Sequence, residues 1–221
     1  MTNTIKYGVI GTGVMGQEHI QNINIIENAK VVAICDTNEN SRNQTKSLVK
    51  DSTKFYNDLD ELISKNIADA YIIATPNFTH INILERILKT NKHLLIEKPL
   101  CTTTEDCKKF ELLAKDYSKI IWTGMEYRYM PPVKQLIKEV HNNIIGKIKM
   151  LSIREHRFPF LHKVDDWNRF SVNTGGTLVE KCCHFFDLMR LVIQSEPAKV
   201  YASGNQDVNH LEEKYDGKTP D

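Results

Sequence analysis

A glycine pattern close to the N-terminus constrains the fold of this chain more than any other feature. Gly11, Gly13 and Gly16 stand in the order G-x-G-x-x-G. The pattern follows an apolar segment, residues 6–11, and opens a stretch with apolar residues at helical spacing, residues 14–26. A strand, a tight turn and a helix in immediate succession predict the first unit of a parallel β-sheet covered by helices.

The same alternation continues over the first 124 residues. Short segments rich in isoleucine and valine predict strands at residues 6–11, 30–35, 69–74, 93–97 and 120–124. Amphipathic segments between them predict helices at residues 14–26, 39–50, 58–65, 80–89 and 105–114, and three threonines before the last can cap it. We therefore expect an α/β chain whose first domain, residues 1–124, is a doubly wound parallel sheet.

The pattern changes after Gly124. It predicts a helix at residues 133–141, a strand at 147–157, a polar loop at 158–174, a long helix at 176–193 and a strand at 199–203. The tail, residues 204–221, has no periodicity. We expect a second, partial α+β domain over residues 125–221 with an open, mainly antiparallel sheet, because 97 residues are fewer than a self-sufficient domain usually has.

Composition excludes several classes of function. The chain has 29 Lys+Arg and 28 Asp+Glu, a formal net charge of +1, so it offers no field for nucleic acid or an anionic membrane. Its longest apolar runs, residues 31–35 and 70–74, are far shorter than the roughly 18 residues of a membrane span. We see no signal peptide, and we expect a cytoplasmic protein that binds neither nucleic acid nor membranes.

The cysteines support the same location. There are five, without a C-x-x-C pair, which is typical of reduced thiols in the cytoplasm and not of a disulfide framework. A zinc site formed by Cys182, Cys183 and His184 is disfavoured, because their spacing matches no common ligand pattern. We expect no metal.

The glycine pattern also predicts a ligand. Asp36 ends the next strand, twenty residues beyond Gly16, and this context is that of a dinucleotide-binding Rossmann unit. Gly11 would allow the tight turn, Gly13 would let the backbone approach a diphosphate, and Gly16 would let helix and strand pack closely. The helix N-terminus at Val14 and Met15 would face the phosphates; glycines that serve only a turn are the plainer alternative.

The identity of the nucleotide depends on the acidic residue. The Asp36 carboxylate would bind the ribose hydroxyls and repel the 2′-phosphate of NADP, which favours NAD. Arg42 lies nearby in the sequence and leaves NADP as the less favoured choice.

The ends of two later strands carry further candidates. Thr75, Pro76 and Asn77, with His80 shortly after, should lie beside the cofactor, because strand carboxyl ends face the ligand crevice. Glu97 and Lys98 precede a proline at the next strand end, where the Lys98 ammonium could stabilise a developing alkoxide. The plainer alternatives are a helix-start signal for the first group and a solvated ion pair for the second.

The second region contributes a carboxylate and an imidazole. Glu180 and His184 are four residues apart in a segment predicted as one continuous helix, so the carboxylate would orient the ring as a general base. A structural pair is the alternative. Five residues could bind a hydroxylated substrate, with ordinary loop packing as the alternative, and these are Glu126, Arg128, Trp167, Asn168 and Arg169.

Together these residues resemble the Gfo/Idh/MocA oxidoreductase family, which includes glucose–fructose oxidoreductase and inositol dehydrogenases. The resemblance rests on the glycine pattern, the Ala-Thr-Pro-Asn segment with His80, Glu97-Lys98-Pro99, and the segment from Gly175 to Glu180 followed by His184 and Asp187. It implies a Rossmann domain, an α+β domain with an open sheet, NAD(P) as cofactor, and hydride transfer to or from a sugar, cyclitol or related polyol. It also implies catalytic roles for Lys98, Glu180 and His184, and self-association through the C-terminal sheet.

Two positions depart from the family. Glu180 stands where aspartate is common, and Thr177 stands where a third glycine is common. Family members also continue well beyond residue 221, so parts of the sheet and some substrate contacts are expected to be absent. The alternatives to an active enzyme are a non-catalytic dinucleotide-binding regulator and an inactive, truncated family member.

Overall fold

The computed structural model describes residues 3–156, 158–208 and 210–221. Strands and helices alternate over the first 124 residues. They are β1 (Ile5–Ile10), α1 (Val14–Asn24), β2 (Ala29–Cys35), α2 (Glu39–Thr45), β3 (Lys54–Tyr56), α3 (Leu59–Lys65), β4 (Ala70–Ile73), α4 (His80–Ile87), β5 (His93–Ile96), α5 (Thr104–Ala114) and β6 (Ile121–Thr123).

These six strands form one parallel sheet in the order β3-β2-β1-β4-β5-β6. The order reverses between β1 and β4, and in such sheets the ligand crevice lies outside the strand ends at this reversal. The predicted doubly wound parallel sheet is confirmed. Strand β3 was not predicted, because three residues that begin with a lysine are too short for a periodic signal.

Apolar side chains cover both faces of the sheet. On β1, Val9 packs with Ile20 and Ile23 of α1, whereas the next residue, Ile10, belongs to a second cluster that includes Leu62 of α3 and other residues of α3, α4 and α5. Successive residues of a strand point to opposite faces, so two core layers follow from one run of apolar residues.

Several helices end on asparagine. The helix α3 stops at Asn66, and the 3₁₀ turn after α4 stops at Asn91; both residues have left-handed backbone angles. Asparagine tolerates this conformation better than other side chains do, so it fills the place where glycine is common. At the other end of a helix, the Thr103 hydroxyl accepts a hydrogen bond from Asp106 N and caps α5 as expected.

The second region is helical in its described part. It contains α6 (Pro131–His141), α7 (Ser171–Thr174), α8 (Thr177–Glu180) and α9 (Cys183–Ile193), with 3₁₀ turns at Glu126–Tyr129 and Val164–Arg169. None of the helices described in this structure has the length and apolarity to span a membrane.

Two predicted strands are not strands. Residues 147–156 and 199–203 have no regular structure, and Arg157, the last residue of the first prediction, lies outside the described residues. An extended segment becomes a strand only when its backbone pairs with a neighbour. In the described part of this region the only strand-like pairing is a bridge between Tyr215 and Lys218, so the predicted antiparallel sheet is not present there.

The long helix predicted at 176–193 is two helices. Both Lys181 N and Cys182 N donate to the carbonyl of Thr177, at 3.0 and 3.1 Å. The second of these bonds spans five residues, so the turn is wider than an α-helical turn. Helix α9 therefore does not continue the residue spacing of α8, so residues four apart across this turn no longer share one helical face.

Candidate active site

The glycine loop connects β1 to α1 at the reversal of strand order. Gly11 has φ +85°, and a Cβ there would lie 2.6 Å from the Ala74 carbonyl. A Cβ on Gly16 would lie 2.0 Å from the Gly11 oxygen. Gly13 is different, because a Cβ on it would meet no atom within 4 Å. Two of the glycines are thus required for packing, and the third borders open space at the N-terminus of α1.

Asp36 holds this loop from the end of β2. Its Oδ2 accepts hydrogen bonds from the Thr12 amide at 2.6 Å and the Thr12 hydroxyl at 2.9 Å, and its Oδ1 accepts one from the Asn38 amide. The guanidinium of Arg42 donates to the main-chain oxygen of Asp36. Asp36 therefore lies beside the glycine loop as predicted, and Arg42 is bound to its backbone.

The segment after β4 is joined to the segment after β5 by His80. This imidazole is fully buried, with Nδ1 3.0 Å from the Pro99 oxygen and Nε2 3.1 Å from the Thr75 oxygen. Burial lowers the His80 pKa, although its backbone hydrogen bonds act in the opposite direction. His80 was predicted to bind the cofactor; in the structure both ring nitrogens face backbone oxygens, so it links the two loops instead.

Thr75, Pro76 and Asn77 lie where the sequence predicts them, at the carboxyl end of β4. The Thr75 hydroxyl accepts from the hydroxyl of Thr79, and Pro76 precedes the 3₁₀ turn at Asn77–Thr79. Asn77 is buried, and its Nδ2 has no hydrogen-bond partner among the described residues. A buried amide donor without a partner is available to a ligand.

Glu97 lies buried at the end of β5 between two elements. Its Oε1 is 2.6 Å from Nε2 of His19 on α1, and its Oε2 accepts from the Lys98 amide at 3.2 Å. Burial by itself would raise the Glu97 pKa, but the hydrogen bond and charge of His19 and the charge of Lys98 lower it below its ordinary value. A Cβ on Gly124 would lie 3.3 Å from Glu97 Oε1, so the end of β6 closes over this carboxylate.

Lys98 follows a strand of the first region and contacts the second. Its Nζ donates to the main-chain oxygen of Glu180, at the end of α8, at 3.1 Å. The Lys98–Pro99 peptide is cis. An ammonium has three hydrogens, so Lys98 keeps two donors for other partners.

His184 is buried in the first turn of α9. Its Nε2 lies 3.3 Å from Glu126 Oε1, and its Nδ1 has no hydrogen-bond partner among the described residues. Burial and the charges of Lys98 and Lys181 lower the His184 pKa to about 4, against the opposing charges of Glu97 and Asp187. The ring is therefore neutral at physiological pH and offers one buried nitrogen to a ligand.

Comparison with known proteins shows a match over most of the chain. Residues 5–125 match the family model described as "Oxidoreductase family, NAD-binding Rossmann fold". Residues 137–218 match the model of the C-terminal alpha/beta domain of the same family. The chain belongs to the Gfo/Idh/MocA oxidoreductase family.

Two curated Gfo/Idh/MocA relatives are 31% identical to this chain. One is myo-inositol 2-dehydrogenase of Thermotoga maritima, where the match covers 91% of this chain and 58% of the relative. The other is glucose-6-phosphate 3-dehydrogenase of Bacillus subtilis, with 95% and 60% covered. The chain thus spans about three-fifths of the length of the curated relatives it matches.

Solved structures show the same likeness. A probable dehydrogenase from Thermotoga maritima superposes with a TM-score of 0.73 at 30% identity, and the match covers 87% of this chain and 56% of the other. The family's NAD-binding Rossmann fold is therefore shown for the first region by both sequence and structure.

One predicted pair of this Gfo/Idh/MocA chain does not form as expected. Glu180 was predicted to orient His184, but the wide turn between α8 and α9 removes the four-residue spacing on one helical face. The carboxylate within reach of the imidazole, among the described residues, is Glu126. Glu180 instead presents its main-chain oxygen to Lys98.

The five residues that were predicted to bind substrate do not lie together at one site. Arg128 forms a bidentate ion pair with Asp187, and the hydrogen bonds to this carboxylate raise the Arg128 pKa. Arg169 is buried, and it donates to the Phe160 oxygen and pairs with Glu213 of the tail. These contacts engage the cationic groups that were expected to bind substrate.

Asn168, like Arg169, is engaged by a main-chain oxygen of the preceding loop. It is buried, and its Nδ2 donates to the Leu161 oxygen at 3.0 Å. With Arg169 and Glu180 it lines a cavity of about 450 Å³ that residues of the tail also line, and neither Lys98 nor His184 is among the lining residues. Trp167 lies elsewhere, with its ring edge on Phe78 at 6.4 Å, beside the segment that follows β4. Glu126 and Trp167 are therefore the two members that lie near the strand ends without an ion pair to Asp187 or Glu213.

Four residues near the site were missed by sequence reasoning. His19 and Tyr127 contact Glu97 and His184 directly, and Lys181 contacts Tyr127. Lys163, half-buried, has a pKa lowered by burial despite the nearby charge of Glu180. His19 carries one available signal, since it stands three residues beyond Gly16 on α1. Lys181 carries another, since it adds a positive charge next to Glu180; Tyr127 and Lys163 carry none.

Proposed function

We propose that this protein is an NAD-dependent oxidoreductase that transfers hydride between the nicotinamide cofactor and a CH–OH group of a sugar, cyclitol or related polyol. One observation carries the proposal. The Lys98 ammonium from the end of β5 and the buried, unpartnered Nδ1 of His184 from α9 belong to one charge cluster beside the ligand crevice. The names of the two 31% identical relatives, dehydrogenases of myo-inositol and glucose-6-phosphate, support the same reaction class.

The residues present fit a dinucleotide. No atom lies within 4 Å of the place of a Cβ on Gly13, so a diphosphate could approach the backbone there. The first amides of α1 lack acceptors within the helix, as at every helix N-terminus, and could donate to the phosphates. Gly11, Val14, Met15 and Gly16 complete this loop. Bound NAD supplies the hydride acceptor.

Lys98 and His184 perform the proton chemistry in this proposal. With the Nε2 hydrogen directed at Glu126, the lone pair of His184 Nδ1 accepts the proton of the substrate hydroxyl. Lys98 donates a hydrogen bond to the same oxygen and stabilises the negative charge that develops there. Glu180 acts through its main-chain oxygen, which fixes the direction of the Lys98 side chain.

The other assignments form part of the proposal. Asp36 selects NAD over NADP, while Thr75, Pro76, Asn77 and Glu97 border the cofactor. Glu126 and Trp167 flank the substrate. Lys98 and His184, the two groups required for proton transfer, are both present, which argues against a non-catalytic regulator.

The proposal also covers the domain boundary, the cellular location and self-association. We place the boundary between residues 124 and 125; the support for it is that one family model matches residues 5–125 and the other matches residues 137–218. A cytoplasmic location is consistent with five free cysteines. Self-association through the C-terminal sheet stays a prediction, because the described residues hold no such sheet.

Binding of NADH and NADPH tests the cofactor half of the proposal. We expect enhanced nicotinamide fluorescence with NADH, weaker binding of NADPH, and a loss of NADH affinity of about tenfold or more in Asp36→Ala, because a charged hydrogen-bond acceptor is removed. Asp51→Ala, an exposed aspartate in a turn, is the matched control. If the folded wild type binds neither nucleotide, the proposal is wrong.

A further inference from the structure

The aromatic ring of Tyr127 lies flat against His184. The two ring centroids are 4.1 Å apart with an interplanar angle of 8°. Tyr127 belongs to the same 3₁₀ turn as Glu126, so one short segment contacts both the face and an edge of the imidazole. This fixes the plane of the ring as well as one of its nitrogens.

Tyr127 is itself held at its far end. Lys181 donates a hydrogen bond from Nζ to the Tyr127 hydroxyl, and the same Nζ lies 3.3 Å from Glu155 Oε1. The Lys181 side chain is only 12% exposed, so this contact is shielded from solvent. Lys181 is also the residue at the wide turn that separates Glu180 from His184.

The stack on Tyr127 prevents rotation of the His184 ring. The carboxylate of Glu126 is half exposed and contacts His184 at 3.3 Å, so it holds one ring atom loosely. A ring fixed at one atom can still rotate, and its unpartnered Nδ1 would then change direction. A general base must lie within hydrogen-bond reach of the proton that it accepts.

We propose that Tyr127 is a positioning residue for His184, and that Lys181 anchors it through the phenol hydroxyl. The Glu155–Lys181–Tyr127 chain then does for this imidazole what a carboxylate one helical turn earlier was expected to do. The catalytic meaning of this inference rests on the proposed function, whereas the stack and the anchor can be tested without turnover.

The charges around His184 allow the position of Lys181 to be measured through the His184 pKa. Lys98 faces the ring from the end of β5 together with Glu97, Glu126 faces it from the 3₁₀ turn, and Lys181 and Asp187 lie near it on their own segments. Lys181 lowers the His184 pKa, so removal of its charge must raise that pKa.

The first experiment is an NMR titration of the histidine rings in the full chain. In Lys181→Met we expect the His184 pKa to rise from about 4 by roughly half a unit or more. Lys134→Met, which removes an exposed lysine of α6, should leave it unchanged. Equal His184 titration in the wild type and Lys181→Met would contradict the placement of Lys181 beside the imidazole, on which the anchor depends.

The second experiment separates the ring from the hydroxyl. Tyr127→Phe keeps the ring but removes the anchored hydroxyl, so the His184 ring signals should keep only part of the shift caused by the neighbouring ring, and Tyr127→Leu should lose it. Tyr129→Leu is the matched control, because Tyr129 lies in the same turn but packs on Trp122. An unchanged His184 signal in Tyr127→Leu would overturn the proposal.

Turnover adds the catalytic readout. We expect kcat to fall about tenfold or more in Tyr127→Leu and to recover only part of this loss in Tyr127→Phe, which restores the ring without its anchor, with NADH affinity unchanged in both. Wild-type kcat in Tyr127→Leu would contradict the positioning role. If the wild type binds NADH but turns over no polyol, the proposed function fails, and the NMR results still decide the stack.

Discussion

The two regions of this chain are held together in different ways. Of the buried apolar side chains among the described residues, only Leu188 and Val192 follow Gly124. The buried polar residues of the second region outnumber them, and these are Asn168, Arg169, Thr174, Glu180 and His184. Apolar side chains such as Tyr201, at 93% exposure, lie on its surface.

The difference separates two sources of order. In the first region, apolar burial on both faces of a sheet provides the main stabilisation, and the site residues stand on strand ends that this core makes rigid. In the second region, ion pairs such as Arg128–Asp187 and Arg169–Glu213 hold short helices in place. The proposed reaction needs a group from each: the rigid region would carry the cofactor loop and the polar region would carry the base.

The largest effect is expected from the glycine loop. Gly16→Ala places a methyl group 2.0 Å from a backbone oxygen, so α1 cannot pack on β1, and we expect a loss of about 3 kcal/mol or more in the free energy of unfolding. Gly13→Ala, where the space is open, should keep the thermal midpoint and weaken NADH binding. Equal midpoints for both variants would show that the loop is not packed as described.

The second prediction concerns the base from the polar region. His184→Ala should lower kcat by about 10²–10⁴-fold, because the proton acceptor is removed. NADH affinity should stay close to that of the wild type, because the cofactor loop lies in the other region. His156→Ala, an exposed histidine outside the helices, is the control. Steady-state kinetics and fluorescence titration measure the two effects, and an unchanged kcat would remove His184 from the mechanism.

The third prediction is a pH dependence of the free energy of unfolding. The His184 pKa is about 4 in the folded protein and 6.5 as its ordinary value. Between these values the unfolded chain binds a proton that the folded chain does not, so the stability present above pH 6.5 is lost as the pH falls toward 4. His184→Gln should flatten this part of the curve in urea titrations, while His156→Gln, at an exposed position outside the helices, should follow the wild type.

The sequence predicted the first region better than the second for a physical reason. Parallel strands buried on both faces leave runs such as residues 70–74, and the turns between them carry glycine, proline and asparagine. These local signals suffice to place Gly13, Asp36 and Lys98 at strand ends. Strand β3 was missed because it has three residues.

In the second region the decisive contacts are not local. Glu180 and His184 look like a helical pair until two amides share the Thr177 oxygen and widen the turn. No spacing rule brings Tyr127 onto His184, since 57 residues separate them in the chain. Residues 147–156 alternate like a strand, but pairing is decided by neighbours and not by the segment itself.

Four asparagines with left-handed backbone angles have a consequence for engineering. Asn28, Asn66, Asn91 and Asn143 all have φ near +50 to +60°, where glycine is free of the steric penalty that a Cβ brings. Glycine at each position would relieve roughly 0.5 kcal/mol. None of the four lies among the residues assigned to cofactor or substrate, so heat tolerance could be raised at these turns while the chemistry is left as it is.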